Sequence, residues 1–459
     1  MPSHFEIRTF GCQMNQHDAE KISNLLYHAD YRPVDAGQVP DLILLHTCSV
    51  REKAERKLYN ELAELVPLKR RNPQLVIGVG GCVAQQEGAR LLERFNDLDF
   101  VFGPQHLRHL PAMVESAKAH RRSLRVDYDD DPQLRFELPE RHPEFDAPRP
   151  GRAFVTVMEG CDLFCAFCVV PRTRGREVSR SSAAILAEVQ AAAERGALEI
   201  TLLGQTVNAY GRSRPGSARG EIPFAELLRR VAEVPGVERV RFTSPHPMFV
   251  TPELIRAYAE EPRICPHLHL PVQSGSSRVL AAMNRRYDRE TYLDIVSALR
   301  AARPDMAITT DLIVGFPGET SADFKETLSL MSEVGFVDSF SFKYSARPGT
   351  PVLRRDDPPV PADEAQARLE ELQSLQRQLT LRAHQVRVGE TCRVLVDGPS
   401  RKGGIQQSGR CPQNRVVNFT ASTPPAPGTL TELCIVDATP HSLLAEVPTS
   451  DAPSLLPLL

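Results

Sequence analysis

Three cysteines, Cys161, Cys165 and Cys168, lie at the spacing C-x3-C-x2-C directly behind the apolar run Ala153 to Met158. A strand running into so tight a loop presents three thiolates together. That suits three corners of a four-iron cubane and leaves its fourth iron open to another ligand. An open iron site points to chemistry as well as electron storage. Zinc is the competing occupant, but it would want a fourth Cys or His nearby and usually shorter, paired spacing. The fold therefore has to carry this loop on the end of a strand.

Composition narrows the setting. A chain of 459 residues has room for two or three domains with real cores. Ten cysteines are too sparse for a disulfide scaffold, and Met1 to Glu20 lacks the basic start and apolar core of a signal peptide. Reduced thiols in a cytoplasm are expected. No stretch approaches eighteen consecutive apolar residues, so no membrane span is expected. With a formal net charge of -3, any nucleic-acid surface has to be a local patch.

A second set of cysteines lies upstream. Cys12 follows the strand-like run Phe5 to Phe10, Cys48 follows Asp41 to His46, and Cys82 follows Leu75 to Val79. Helical segments come after each, over His17 to His28, Arg51 to Arg70 and Ala84 to Phe95. The alternation predicts a parallel, doubly wound sheet with its ligand site beyond the carboxyl ends of the strands. All three cysteines would share that edge, and helix N-termini behind them favour thiolates and an anionic cluster. Any one of them alone reads as a small buried hydrophobe; three at equivalent turns suggest a common ligand.

The middle of the chain repeats a βα unit. Strands are expected at Ala153–Glu159, Glu199–Gly204, Arg239–Thr243, His267–Leu270, Ala307–Val314 and Ser339–Tyr344, with Thr251-Pro252 as an N-cap followed by proline in the first turn. Six units are too few for a closed eight-stranded barrel and suit an open (β/α)6 partial barrel whose functional face is the carboxyl end of its strands. The suggestive residues gather there: the cysteine loop, Gly204-Gln205-Thr206, Ser244-Pro245-His246, Pro271 to Gly275, Gly315 to Glu319 and Ser345 to Pro351. Individually each could be an ordinary turn.

Asp127 to Pro150, rich in proline and charge, reads as a linker. Leu369, Leu372, Leu375 and Leu379 mark a helix over Ala362 to His384 with one apolar stripe. Short strands at Thr391–Val396, Arg415–Phe419, Thr429–Val436 and Ser442–Val447 then suggest a small β-barrel. Arg401, Lys402, Arg410 and Arg415 form a basic stretch with Phe419 beside it for stacking, which fits single-stranded nucleic acid, or else a solvated charged loop. The expected division is 3–119, a linker over 120–149, 150–382, 383–447 and a tail over 448–459.

The loop of Cys161, Cys165 and Cys168, with Phe167 before the last cysteine, resembles the radical S-adenosylmethionine superfamily. Together with Thr9-Phe10-Gly11-Cys12-Gln13-Met14-Asn15, Thr47-Cys48-Ser49-Val50, Gly80-Gly81-Cys82 and Phe342 to Thr350, the whole chain is similar to the methylthiotransferase family. Its last domain resembles a TRAM domain. Gly409-Arg410 and Asn414 to Phe419 are similar to the branch that modifies transfer RNA rather than a ribosomal protein.

The resemblance implies two [4Fe-4S] clusters: a radical S-adenosylmethionine cluster on Cys161, Cys165 and Cys168, and an auxiliary one on Cys12, Cys48 and Cys82 that donates sulfur. It implies S-adenosylmethionine contacts from Phe167, Gln205, Ser244, Gln273, Ile313, Val314 and Gly315, and RNA contacts from Gln13, Asn15, Arg410, Arg415 and Phe419. Gln205-Thr206 departs from the usual asparagine after that glutamine. The implied substrate is N6-isopentenyladenosine in a tRNA anticodon stem-loop, and the product its 2-methylthio derivative. Implied partners are a reductase and a sulfur or cluster supplier, with the chain acting as a monomer. Alternatives are a sister enzyme acting on another modified adenosine or a ribosomal-protein aspartate, and a non-enzymatic iron–sulfur RNA-binding protein. Cys265, Cys392, Cys411 and Cys434 have no partners at ligand spacing and read as packing residues.

Overall fold

A computed structural model describes residues 2–11, 13–35, 37–49, 52–129, 131–145, 149–212, 221–401 and 403–448, with backbone only for 52–54. Cys12 and Lys402 lie outside the described residues.

The first unit alternates β1 (Ser3–Phe10), α1 (Gln13–His28), β2 (Tyr31–Pro33), β3 (Leu42–Thr47), α2 (Glu52–Arg71), β4 (Val76–Gly81), α3 (Cys82–Glu87), α4 (Ala89–Arg94), β5 (Phe100–Phe102), α5 (Leu110–Lys118) and β6 (Ser123–Arg125). Its sheet is parallel throughout, in the order β2-β1-β3-β4-β5-β6. Every residue of β3 and β4 is buried, as expected where helices cover both faces. Ile22 and Leu26 of α1 pack on one face, Leu58, Leu62 and Leu65 of α2 on the other. Strand order reverses between β1 and β3, which puts the crevice of a doubly wound sheet beyond their carboxyl ends. The single helix expected over Ala84–Phe95 is two, because Gly88 adopts a left-handed backbone between α3 and α4.

The central unit comprises β7 (Arg152–Thr156), β8 (Met158–Glu159), α6 (Val170–Thr173), β9 (Val178–Ser179), α7 (Ser182–Glu194), β10 (Glu199–Leu203), α8 (Phe224–Glu233), β11 (Arg239–Phe242), α9 (Pro252–Glu260), β12 (His267–His269), α10 (Ser277–Ala282), α11 (Arg289–Ala302), β13 (Ala307–Val314), α12 (Ser321–Val334), β14 (Asp338–Lys343) and α13 (Ala362–Gln385). Two parallel three-stranded sheets, β7-β10-β11 and β12-β13-β14, meet through an isolated bridge between Val240 and Ile264. The six expected strands are present, arranged as two halves. The first is shorter than expected: it ends at Thr156, and Met158–Glu159 pairs instead with β9, closing the base of the cysteine loop. Thr251 caps α9, accepting from the Leu254 amide at 3.3 Å. Leu372 and Leu379 of α13 join the barrel core, with Leu369 and Leu375 packed against it.

The connection after β6 is ordered against both neighbours. The Asn24 side chain donates to the carbonyls of Pro139 and Glu140, and the Tyr128 hydroxyl donates to the Arg172 carbonyl at 2.6 Å.

The last unit is a closed barrel of β15 (Thr391–Pro399), β16 (Gln406–Arg410), β17 (Val416–Thr420), β18 (Leu430–Ala438) and β19 (Leu443–Glu446), in the order β15-β16-β17-β19-β18. Strand β16 falls where no strand was expected. Gln406-Gln407-Ser408-Gly409-Arg410 has no β-branched residue, and pairing on both sides imposes the extended form. This barrel docks on the amino ends of the central strands. Arg239, at the start of β11, donates to the carbonyls of Arg393 and Arg410, Arg241 donates to that of Cys411, and Gln413 donates to Asp305 just ahead of β13.

Candidate active site

Cys161, Cys165 and Cys168 lie between β8 and α6, at the carboxyl end of the central strands. Cys161 and Cys165 are buried with Leu163, Ala209 and Phe249, and Phe167 and Cys168 pack at the margin. The Cys161 sulfur is 3.1 Å from the Thr206 hydroxyl, and Arg285 Nη1 donates to the Cys165 sulfur at 3.4 Å. Burial pushes the Cys168 thiol up to about 12, with Cys165 and Cys161 adding to the shift, and burial also raises Cys161. Thiols whose ionisation is disfavoured, as at Cys161 and Cys168, need a cationic partner to become thiolates. Iron supplies that charge, so the donor set fits a cluster. Burial opposes the charge on Arg285, but Tyr287 and Cys165 outweigh it and its pKa is raised.

The residues expected to hold S-adenosylmethionine surround this loop. Gln205 Oε1 accepts from the Gly160 amide, while its Nε2 is buried with no hydrogen-bond partner, a spare donor suited to a polar ligand. Ser244 (φ 59°) and Gln273 (φ 76°) hold left-handed backbone at strand ends, conformations that non-glycine residues keep only where the surroundings enforce them. Ile313 packs near Phe167, Phe316 and Tyr344, on the side of the loop. Val314 points the other way, into the core behind the sheet, so only its backbone can face a cofactor. The Gly315 amide is taken by Glu319 at 2.6 Å, and Arg368 holds Glu319 in turn at 2.6 Å. That loop is braced from within.

The upstream turns converge as the topology requires. A Cβ on Gly11 would lie 2.3 Å from Cys48 Cβ, and one on Gly81 would lie 2.4 Å from the Thr47 carbonyl oxygen. Both glycines have positive φ, so each turn approaches its neighbour in a way only glycine permits. Cys48 and Cys82 are buried there. Cys12, which follows Gly11, is outside the described residues.

The RNA-contact expectations at Phe419 and Asn15 are corrected. Phe419 is 1 % exposed in the core of the terminal barrel, because Val417 and Phe419 take the inward positions of β17; its ring is not available for stacking. Arg410 and Arg415 sit in the seam with the central unit, at the opposite end of its strands from the cysteine loop. Arg410 donates to the Asn414 carbonyl and Arg415 to that of Ala383, and burial lowers the pKa of both, Arg415 to about 10. Arg401 remains exposed. Asn15 is buried, its amide donating to the Phe10 carbonyl at 3.3 Å, so it braces the Gly11 turn; Gln13 is exposed. Cys265, Cys392 and Cys411 are buried packing residues.

Sequence reading gave no role to several residues of the site. Asn208 accepts from the His246 amide and donates to the His246 carbonyl. His246 is buried, its Nδ1 accepts from the Met248 amide, and its Nε2 has no partner. Burial, then Arg285 and Arg286, lowers its pKa to about 2. Arg285 and Arg174 were missed because arginines distant in sequence carry no spacing signal. The short Thr173-Arg174-Gly175 turn after α6 offered only its nearness to Cys168.

Comparison with known proteins agrees with this geometry. Residues 155–331 match the radical SAM superfamily model, and residues 4–103 match "Uncharacterized protein family UPF0004". The chain is 48% identical over 441 residues to the tRNA-2-methylthio-N(6)-dimethylallyladenosine synthase of Geobacter metallireducens, covering 96% of this chain and 97% of that one. Enzymes of the same name from Nitrosospira multiformis and Marinomonas sp. are 47% and 44% identical, covering 97% and 98% of this chain and 94% and 98% of theirs. Among solved structures, the radical S-adenosylmethionine methyltransferase TsrM of Kitasatospora setae, with cobalamin and a [4Fe-4S] cluster bound, aligns at TM-score 0.57 and 15% identity over 77% of each chain, a likeness of fold. With relatives of this identity over nearly its full length, the chain belongs to the tRNA-2-methylthio-N(6)-dimethylallyladenosine synthase family of radical SAM proteins.

Proposed function

We infer that this protein is a methylthiotransferase that converts N6-isopentenyladenosine beside the anticodon of tRNA to its 2-methylthio derivative. One observation carries the reading: the hairpin bearing Cys161, Cys165 and Cys168 lies against the sheet edge bearing Cys48 and Cys82, with the Gln105 amide donating to the Arg174 carbonyl across the junction at 3.1 Å. The target C2 hydrogen of adenine is neither acidic nor next to a leaving group, so acid–base catalysis has little purchase on it. Reduced iron–sulfur clusters with S-adenosylmethionine supply the carbon-centred radical and the sulfur that this substitution needs.

The chain's own part is to hold and shield. Cys161, Cys165 and Cys168 bind one [4Fe-4S] cluster, with Thr206 and Arg285 donating to the sulfurs. Gln205 offers a buried amide to S-adenosylmethionine, and the left-handed turns at Ser244 and Gln273 bring backbone close to it. Cys12, Cys48 and Cys82 bind the second cluster. A base in an anticodon loop can be drawn between the two because loops present splayed bases. The protein works in the cytoplasm as a monomer, with an external reductase and a supplier of sulfur or clusters. No helix among the described residues is long and apolar enough to cross a membrane.

The test is anaerobic reconstitution with iron and sulfide, then reductant, S-adenosylmethionine and an isopentenylated anticodon stem-loop. Mass spectrometry of the nucleosides should show a gained methylthio group with 5′-deoxyadenosine. Formation of 5′-deoxyadenosine with unmodified RNA would move the substrate to a sister adenosine.

A further inference from the structure

Beneath the upstream cysteine turns lies a buried cation that belongs to the other unit. Arg174 follows α6, in the hairpin of the three-cysteine loop, yet its side chain is 3 % exposed and its Nη2 is 2.5 Å from the Asp18 carboxylate on α1. Asp18 is itself fully buried and 3.7 Å from His46 Nε2, two residues ahead of Cys48. Nη1 stands 3.8 Å from Glu159 and, though buried, makes no hydrogen bond. Burial opposes the charge on Arg174, but Asp18, then Cys82, then Glu159 outweigh it and hold its pKa well above the usual range.

A cubane on three thiolates is anionic, and sulfur added at its open iron makes it more so. Buried anions are costly without a paired cation, and the net charge and hydrogen bonds around a cluster set its potential. Arg174 supplies both a charge and an unused donor at this edge.

We propose that Arg174 is a positioning residue lent by the central unit to the auxiliary cluster: braced by Asp18, its guanidinium stabilises the reduced cluster, with Nη1 as the free donor. The inference rests on the reading that Cys12, Cys48 and Cys82 hold a cluster. It also explains why two distant cysteine sets occur on one chain: the hairpin seating the first cluster carries the counter-charge of the second.

The test is an EPR-monitored redox titration of the reconstituted full-length protein, with and without S-adenosylmethionine, whose binding identifies the radical cluster by altering its signal. In Arg174→Met the reduction equilibrium of the unresponsive, auxiliary cluster should shift at least tenfold toward oxidation, about 59 mV for one electron. The midpoint of the responsive cluster should stay put. Arg174→Lys should restore most of the shift. Asp18→Asn, which removes the compensating carboxylate, should move the midpoint the opposite way, and it keeps the test alive if the methionine variant does not fold. An unchanged auxiliary midpoint at full iron content overturns the inference. Wild-type protein with about four irons per chain and no unresponsive signal would instead refute the two-cluster reading on which it rests.

Discussion

Asn208 and His246 are joined by two hydrogen bonds: the asparagine amide accepts from the His246 backbone at 2.8 Å and donates to its carbonyl at 2.9 Å. They tie the turn after β10 to the turn after β11, and so fix Gln205 and Ser244 relative to one another. Replacing Asn208 by alanine leaves a buried donor and a buried acceptor unpaired, each costing about 1–3 kcal/mol. Chemical denaturation of the apo-protein should show a loss of about 2 kcal/mol or more; unchanged stability would mean the pair is dispensable.

His246 makes folding pH-dependent. Burial and the neighbouring Arg285 and Arg286 lower its pKa to about 2 from an ordinary 6.5. Between those values the unfolded chain binds a proton that the folded chain refuses. Stability therefore falls as pH drops below about 6.5, by about 1.4 kcal/mol per unit, and does not depend on this group above it. His46, lowered to about 4 chiefly by burial, acts in the same direction. Urea midpoints from pH 7.5 to 5 should decline, and His246→Gln should flatten the slope.

Phe419 separates packing from recognition. As a core residue of the terminal barrel, its replacement by alanine should cost about 3–5 kcal/mol in unfolding of that barrel. A surface stacking residue would instead weaken RNA binding at unchanged stability. Denaturation and RNA titration of Phe419→Ala distinguish the two.

Glu199 anchors the docking of the terminal barrel. At the amino end of β10 it is buried against Arg152 at 3.1 Å and Arg241 at 2.9 Å, and Arg241 reaches on to the Cys411 carbonyl. Burial would raise its pKa, but Arg241 and Arg152 outweigh that and hold it ionised. Glu199→Ala strands buried arginines, a loss of about 3–5 kcal/mol. Limited proteolysis between α13 and β15 should accelerate in the variant; wild-type resistance would contradict the role.

The sequence made the cysteine skeleton legible because spacing and strand periodicity encode it locally. Cys161, Cys165 and Cys168 announce a loop by themselves, and Cys48 and Cys82 fall at equivalent turns whose convergence follows from βα topology. Arg285 on Cys165 and Arg174 on Asp18 were invisible, since tertiary contacts between distant residues leave no local pattern. Phe419 was misread for a related reason, and Arg410 and Arg415 are half-buried. A cluster of arginines looks basic in one dimension, whereas the fold turns it into a seam at the far end of the strands. The inward position of Phe419 could have been found, because Val417 and Phe419 alternate with Asn418 at the period of a strand.

If the two cysteine sets do two separable jobs, Cys12→Ala and Cys165→Ala must fail in different ways. Both variants are reconstituted anaerobically and assayed together for 5′-deoxyadenosine and for the methylthiolated nucleoside. Cys12→Ala should still form 5′-deoxyadenosine but no methylthio product, and Cys165→Ala should form neither. Full methylthiolation by Cys12→Ala would contradict the account.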